Sequence, residues 1–335
     1  MNKKGIVFTF IVVSLLSVVL IAFLINVSNK NTQAKIQETT VNVETLNSFT
    51  KSLDEQVIPQ ALEVSSNRAI LSWLYYLDLQ NEITPNTFIT ATPNLNTNLK
   101  NAIVYEKYVL NVGIGKGSTV QLNFMYDDGA NYTLPSVFKE IENLAINSGV
   151  NFSYDSPNNY VFTINQISPW EINVSMIMTD YKVSDLNGDT FWEFKNKPYS
   201  VILNVTNFID PLALVYNNRS VTINRTRSSL PFDSAGLQSF YERPEFVEDS
   251  LNNDAPSFLD RLQGTLTPNV NGIESILDPL YFENLDLNSN VDFLYYNYYK
   301  KGNSLITGCL VSNTNVYLDS GHYIYYTGQA CNQNN

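Results

Sequence analysis

The chain of 335 residues is poor in the side chains that most catalytic and metal sites use, with a single histidine and two cysteines. One histidine excludes histidine-rich metal sites, and we expect neither catalysis nor a cofactor. Charged residues make up only 16% of the chain, and the net charge is −12. A nucleic-acid-binding surface needs clustered basic side chains that displace counterions from phosphates, so we expect no nucleic-acid partner.

Apolar residues, in contrast, are abundant: 44% of the chain is hydrophobic and 13% is aromatic. Disordered chains combine low hydrophobicity with high charge, so this composition predicts a folded protein. The length is sufficient for about two domains with ample core.

Residues 6–25 form an apolar run, IVFTFIVVSLLSVVLIAFLI, without a charged side chain. A helix of about twenty residues spans the hydrocarbon core of a bilayer, and lipid forces the backbone to satisfy its own hydrogen bonds. Lys3 and Lys4 precede the run, so the positive-inside rule places the N-terminus in the cytoplasm and the bulk of the chain outside. We expect a basic leader over 1–5, a transmembrane helix over 6–27 and membrane lipid as a partner, hence a single-pass protein of the cell membrane.

The leader motif Lys-Lys-Gly at 3–5, followed by the apolar run 6–25, resembles type IV pilin-like precursors, particularly archaeal ones. In that family a class III signal peptide ends in Lys/Arg-Gly, and the hydrophobic helix stays in the mature protein. The resemblance implies a processing site between Gly5 and Ile6 and bundling of the apolar helix with like subunits. Bacterial major pilins usually carry Glu five residues into the mature chain, where this sequence has Phe10. An uncleaved signal anchor is the alternative.

Beyond the run, apolar residues recur at helical spacing over 43–53 and again over 57–79. We interpret these stretches as a helical stalk that lifts the rest of the chain off the membrane and then docks on it. The aromatic residues Trp73, Tyr75 and Tyr76 could form a ligand platform. At helical spacing, core packing is the favoured interpretation.

From about Ile103 the pattern changes to alternation between apolar and polar residues, which is typical of strands. The predicted strands are 103–112, 118–126, 159–167, 170–183, 190–194, 199–208 and 220–226. A helix over 135–149, with Pro135 in its first turn and Gly149 after its end, interrupts the series. The fold class is therefore α+β, with a mostly antiparallel sheet or sandwich and one packed helix.

The predicted organisation beyond the membrane has three sections: the stalk over 28–100, a β-rich domain over 101–230, and an irregular linker with a C-terminal β-rich section over 231–335. The third section contains a short helix at 257–266. Its predicted strands include 291–299, 305–311, 315–318 and 323–328.

A second resemblance lies mostly in the third section. Its stretches are DPLALV (210–215), APSFLDRLQGTL (255–266), NGIESIL (271–277), VDFLYY (291–296) and LDSGHYIYY (318–326). They are similar to a pattern in uncharacterised membrane-anchored surface proteins of archaea. That family carries no assigned activity, so the resemblance implies a location and an architecture rather than a reaction.

Cys309 and Cys331 are the two cysteines, and both lie outside the membrane under this topology. Oxidising compartments favour disulfides, so we expect these residues to form an intramolecular bond. The bond would close a loop of about 22 residues, which stabilises a chain by about 3 kcal/mol in the chain-entropy model.

The segment from Asp185 to Glu193 superficially resembles a calcium loop, with candidate oxygen ligands Asp185, Asn187, Asp189 and Glu193. An EF-hand needs Gly and Glu at later loop positions where this chain has other residues, so the candidate is weak. Asn187-Gly188 between two strand-like runs indicates a hairpin turn instead. The same carboxylates, Asp185 and Glu193, are the candidate pair for a distant third hypothesis, an extracytoplasmic hydrolase.

His322 could act as a base oriented by Asp319, but no serine or cysteine lies in a nucleophile-elbow context. A turn histidine that bonds between two strands is the favoured interpretation. Asn-x-Ser/Thr sequons are about as frequent as the asparagine content predicts by chance. The candidates for glycosylation are Asn131 and Asn218, which lie in predicted loops.

The leading hypothesis is therefore a membrane-anchored extracytoplasmic surface protein, pilin-like and structural or adhesive, without catalysis. Its partners would be like subunits, through the helix at 6–25, or components of the cell envelope. The alternative is a monomeric anchored domain whose aromatic residues bind glycan or another envelope partner.

Overall fold

The computed structural model describes residues 16, 35–83, 88, 94–105, 107–110, 118–121, 125–127, 130–188, 191–226, 230–243, 245–249, 255–277, 289–302 and 306–331. The processing site Gly5–Ile6 and all of the apolar run 6–25 except Leu16 lie outside these residues. Among the helices of the described part, none combines the length and the apolar character that crossing a membrane requires. The transmembrane helix therefore stays a prediction.

Helix α1 (Lys35–Ser52) continues through a π-helical turn (Leu53–Val57) into α2 (Ile58–Ile83), as the helical spacing predicted. Helix α3 (Leu95–Tyr105) follows. Trp73 and Tyr76 are buried, which confirms the core interpretation of the aromatic cluster for these two residues. α2 packs against α3 and the main sheet, so the predicted stalk is also part of the core.

The main sheet has four antiparallel strands: β5 (Val150–Tyr154), β6 (Val161–Ser168), β7 (Glu171–Asp185) and β8 (Phe191–Asn204). β8 pairs along nearly all of β7, and β5 and β6 therefore share the other edge of β7, end to end. The prediction of separate strands at 190–194 and 199–208 was wrong. Pro198 lies within β8, and the sheet accepts it because β8 is an edge strand.

The buried face of the sheet changes along β7 and β8. Even-numbered side chains from Ile172 to Met178 are buried, but farther along β7 the buried apolar ones are Tyr181 and Val183, followed by the buried Ser184. At the same level in β8, Asn196 has a positive φ of 50°. This left-handed residue turns the hairpin end of β8 so that its even-numbered side chains face α1.

Helix α4 (Leu134–Asn147) confirms the helix predicted over 135–149. Pro135 lies in its first turn, and Gly149 follows its end with a φ of +79°, a backbone conformation that glycine adopts without a steric cost. The buried side chain of Phe138 packs edge-on against Phe152 and Tyr154 of the sheet.

Short antiparallel pairs make up the other strands. They are β1 (Lys107–Leu110) with β2 (Ser118–Gln121), β3 (Tyr126–Asp127) with β4 (Ala130–Asn131), β9 (Val247–Glu248) with β10 (Ile273–Glu274), and β11 (Cys309–Leu310) with β12 (Tyr317–Leu318). The strand predicted at 103–112 starts later because 103–105 close α3, and that at 118–126 is split. The prediction of a strand at 220–226 was wrong, because this segment makes two isolated β-bridges, at Thr222 and Arg225, instead of a continuous pairing.

The remaining helices are α5 (Pro211–Asn217), α6 (Ser234–Glu242), α7 (Phe258–Leu262), α8 (Asp292–Lys301) and α9 (Ser320–Thr327). The strands predicted at 291–299 and 323–328 are therefore wrong. Their tyrosines favour strands, but Asp319 caps α9, and glycines in the left-handed conformation end both helices.

One cluster of buried apolar residues extends from Leu46 to Ile273, across the predicted section boundaries at 100 and 230. A second cluster, from Phe232 to Tyr326, lies under the C-terminal section. The α+β class with antiparallel sheets is confirmed, and the division into three sections stays a prediction.

Candidate functional site

A cavity of about 290 Å³ opens to solvent between helix α1 and the hairpin end of β8, and we call it the Trp192 cavity. Its lining combines two aromatic side chains from β8 with polar side chains from α1 and the π-helical turn. The lining residues are Asn47, Thr50, Lys51, Asp54, Glu55, Trp192 and Phe194. Concave sites with an apolar surface and a few oriented polar groups are typical of ligand binding.

The aromatic wall of the Trp192 cavity is fixed from behind. Phe194 stacks on the buried ring of Tyr181 with a centroid distance of 4.6 Å and an interplanar angle of 13°. Lys197 lies 5.6 Å from the centre of the Phe194 ring, a cation–π arrangement. Trp192, two residues before Phe194, is 40% exposed and presents its indole to the solvent.

Asp54 anchors the polar wall. Its carboxylate accepts hydrogen bonds from Tyr199 Oη at 2.6 Å, Tyr181 Oη at 3.2 Å and Lys197 Nζ at 2.9 Å. Burial acts to raise the pKa of Asp54, but the hydrogen bonds from Tyr199 and Lys197 outweigh it and hold the pKa below its usual value. The π-helical turn that carries Asp54 is a rare helix form often found at functional sites.

Thr50 borders the same cavity from one turn earlier in α1. Its side chain is nine-tenths buried, and its hydroxyl has no hydrogen-bond partner among the residues that the structure describes. A buried hydroxyl without a partner is unfavourable by about 1–3 kcal/mol. The polar wall therefore has hydrogen-bonding capacity that the described residues do not satisfy.

The weak calcium candidates lie next to this cavity, at the β7–β8 hairpin. Asp185 ends β7, and its carbonyl accepts a hydrogen bond from the backbone N–H of Gly188, whose φ is +80°. A hairpin turn is therefore present, with Leu186 and Asn187 at its centre and Gly188 in its last position. Glu193 lies in β8 opposite Lys182 and forms an ion pair with Lys195 at 3.0 Å. Asp189 lies outside the described residues, and calcium binding here stays a prediction.

His322 lies in the first turn of α9 and is buried, so the interpretation as a turn histidine between strands was wrong. Its Nδ1 lies 2.7 Å from Asp319 and its Nε2 lies 3.1 Å from Glu274, whose other oxygen accepts a hydrogen bond from Tyr326. Burial acts to lower the pKa of His322, but the hydrogen bonds to Asp319 and Glu274 outweigh it and raise the pKa to about 11. A histidine that is protonated at neutral pH cannot serve as a general base.

Arg261, also fully buried, is the cation of a second cluster. Its Nη1 lies 3.2 Å from Asp210 and 2.8 Å from Asp292, and its Nη2 donates to the carbonyl of Ile273. Asp210 also caps α5. Burial raises the pKa of Asp210, although Arg261 opposes that shift.

Residues 273–275 connect the two clusters, because Ile273 bonds to Arg261, Glu274 to His322 and Ser275 to Asp292. The stretches that carry the second resemblance supply the charged members of both clusters: Asp210, Arg261, Glu274, Asp292, Asp319 and His322. Sequence reasoning missed these clusters because their members lie tens of residues apart in the chain. The signal that could have found them is a charge inside an otherwise apolar motif, as in FLDRL.

The predicted disulfide between Cys309 and Cys331 is confirmed, with a Cα–Cα distance of 6.3 Å. It joins β11 to the segment that follows α9. The glycosylation candidates differ in accessibility: Asn131 is partly buried and its amide oxygen accepts from Thr133, whereas Asn218 is exposed after α5. Their modification stays a prediction.

A groove of about 640 Å³, mostly apolar, lies between α2, α4 and β8, and we call it the α2–α4 groove. Leu71 of α2 and Ile202 of β8 line it and are exposed. Leu16, the one described residue of the apolar run, also borders it. This groove is therefore a surface that suits an apolar helix.

These sites have to be interpreted from the chain's own residues. Comparisons of the chain with protein-family models, with curated proteins and with solved structures found no match.

Proposed function

We propose that the protein is a single-pass membrane-anchored, extracytoplasmic surface protein with a pilin-like structural or adhesive role and no catalysis. The observation that carries the proposal is the uncharged apolar run 6–25 behind Lys3 and Lys4. A run of that length and polarity is stable as a helix in lipid, and the lysines set its orientation. The α+β body from residue 35 onward then lies outside the cell.

The disulfide between Cys309 and Cys331 supports this orientation. Disulfides persist in oxidising compartments and are rare in a reducing cytoplasm. The bond closes the last hairpin onto the end of α9, which stabilises a section built from short elements.

The α2–α4 groove supports the pilin-like part of the proposal. Like subunits would pack the apolar helix at 6–25 of one copy against apolar surface of another. The groove offers such a surface, and Leu16 lies at its border. A run that leaves the membrane to enter a fibre would be removed from water again by packing against this surface.

The non-catalytic part of the proposal is supported by the placement of the chain's reactive side chains. His322 and Arg261 are buried between carboxylates and hold their protons at neutral pH. Glu193, one of the two carboxylates of the hydrolase hypothesis, forms an ion pair with Lys195. These arrangements stabilise charge pairs in the fold.

N-terminal sequencing of the protein from membranes, together with electron microscopy of sheared surface material, tests the proposal. We expect a mature chain that starts at Ile6, sediments with membranes and is present in surface fibres. A chain that still starts at Met1 and is absent from fibres would contradict the pilin-like role but not the anchor. A chain found in the soluble cytoplasmic fraction would contradict the anchor itself.

The variant Leu71→Lys tests the role of the α2–α4 groove in assembly. Leu71 is exposed, so the fold tolerates the change, whereas a charge in the groove opposes contact with an apolar helix. We expect at least a tenfold loss of fibres at an unchanged thermal midpoint. The control is Leu186→Lys, because Leu186 is exposed in the β7–β8 turn, away from the groove.

A further inference from the structure

We propose that the Trp192 cavity binds a neutral saccharide through stacking on Trp192 and hydrogen bonds to the polar face of α1. This inference goes beyond the anchored role, and its test does not depend on where the protein is located.

Trp192 differs from the other two tryptophans of the chain in its exposure to solvent. The chain has three tryptophans; Trp73 and Trp170 are buried, whereas Trp192 is 40% exposed at the mouth of the cavity. Its indole is among the largest apolar surfaces that a residue can offer to a ligand, and it has a polar N–H at its edge. Sugar rings carry C–H groups with partial positive charge, which pack on the negative face of an aromatic ring.

The polar wall of the cavity has side chains that can form hydrogen bonds with the hydroxyl groups of a sugar. Asn47, Lys51 and Glu55 recur every four residues, so they lie on one face of the helix opposite Trp192. Their amide, ammonium and carboxylate groups provide both donors and acceptors, which is what vicinal hydroxyls require. The hydroxyl of Thr50 at the same wall has no partner among the described residues.

Charge indicates that the ligand is neutral. Asp54 is already paired with Lys197 at 2.9 Å, and the other two charged side chains of the lining, Lys51 and Glu55, have opposite signs. The lining therefore has no surplus of either charge to attract an ionic ligand. A neutral polyhydroxylated ligand can bond to Lys51 and Glu55 without breaking the pair of Asp54 and Lys197.

The size of the cavity limits the ligand. A volume of about 290 Å³ is at the lower end for small-molecule sites, and the cavity is open to solvent on one side. It therefore fits a single sugar unit whose neighbours in a glycan extend into the solvent.

The test uses the full chain in a detergent without a sugar headgroup, because an alkyl glycoside would compete. A printed array of neutral and acidic oligosaccharides is screened first, and the strongest neutral oligosaccharide is then titrated while iodide quenches tryptophan fluorescence. Because Trp192 is the exposed tryptophan, we expect the saccharide to protect it from iodide and to reduce quenching at least twofold.

Substitutions assign the binding to this cavity. Trp192→Ala should weaken array binding at least tenfold, whereas Phe191→Ala should leave it unchanged, because Phe191 is exposed on the same strand but does not line the cavity. Asn47→Leu keeps Trp192 and its fluorescence and should weaken binding at least fivefold, so the test holds even if Trp192→Ala fails to fold.

No protection of Trp192 by any neutral oligosaccharide at millimolar concentration would overturn the proposal. Preferential binding of acidic oligosaccharides, or equal binding by Asn47→Leu and the unsubstituted protein, would also overturn it. A soluble chain that still binds through Trp192 would contradict the anchor and leave this site in place. An uncleaved chain that is absent from fibres but still binds would contradict only the pilin-like part of the proposed function.

Discussion

At the scale of single residues, the protein buries charge in an unusual way. Arg261 and His322 are both almost completely inaccessible, and each is held between two carboxylates. Taking ions out of water is unfavourable by several kcal/mol per ion, so such groups persist only with close partners. These buried ion pairs specify which segments pack together, because any other packing of the same segments would leave a charge without its partner.

Arg261→Met tests this at the first cluster. The substitution removes the cation and leaves Asp210 and Asp292 facing each other in the core, so we expect the free energy of unfolding to fall by about 3–5 kcal/mol. Urea denaturation followed by far-ultraviolet circular dichroism measures it. The matched control is Arg225→Met, whose exposed pair with Glu248 is 3.7 Å long and should contribute less than about 1 kcal/mol. Equal losses in the two variants would refute the assignment.

The second cluster predicts a dependence of stability on pH. His322 faces Asp319, Glu274 and, through Glu274, Tyr326; its pKa is about 11 in the folded chain against 6.5 for an ordinary histidine. The unfolded chain loses this proton first, so the stabilisation is complete below pH 6.5 and disappears as the pH rises towards 11. Burial raises the pKa of Glu274, which adds a loss of the same sign at lower pH.

Unfolding free energies measured at pH steps from 7 to 10 should fall by about 1.4 kcal/mol per pH unit from His322 alone. In His322→Gln this slope should disappear, although the variant is less stable at pH 7. The slope serves as the readout, because loss of packing alone would lower stability equally at every pH. A slope that survives in His322→Gln would show that another group causes it.

At the scale of elements, the periodicity of the sequence predicted the helices of the N-terminal half and the long strands of the main sheet. It failed where tyrosine-rich segments became helices α8 and α9. Side-chain propensity favours strands there, but as helices these segments bring Asp292 to Arg261 and His322 to Glu274. Those partners lie tens of residues away, and a local pattern contains no information about them.

Helix capping gives a prediction at this scale that is separate from the buried charges. Asp233 precedes α6, and its carboxylate accepts a hydrogen bond from the backbone N–H of Gly236 at 2.7 Å. Asp233→Ala should lower the free energy of unfolding by about 1 kcal/mol. Asp233→Asn should keep most of the capping stabilisation, since an amide oxygen can also accept the hydrogen bond from the helix N-terminus. Thermal unfolding of both variants makes the comparison, and identical midpoints would contradict the capping role.

The candidate site could be predicted from the sequence only in part. The surplus of aromatic residues suggested glycan contacts, but nothing local pointed to Trp192 and Asp54 as neighbours. They meet because Asn196 takes a left-handed conformation and turns the end of β8 towards α1. The cysteine pair could be predicted, because a chain with two cysteines has one possible intramolecular pairing.

At the scale of the whole molecule, the disulfide between Cys309 and Cys331 stabilises the section with the shortest strands. Cys309→Ser with Cys331→Ser should lower the free energy of unfolding by about 3 kcal/mol. Reduced unsubstituted protein is the control, and it should match the double variant. If the reduced protein unfolds at the same urea concentration as the oxidised one, the bond contributes nothing to stability.

The two buried clusters also determine how late in synthesis the core around them can close. Glu274 and His322 are 48 positions apart, and Arg261 bonds to one carboxylate 51 positions before it and another 31 positions after it. Because a ribosome makes the chain from its N-terminus, Asp210 and Glu274 are made well before the cations that pair with them. An unpaired carboxylate keeps its water, so the core around these two acids cannot close until Arg261 and His322 have been made.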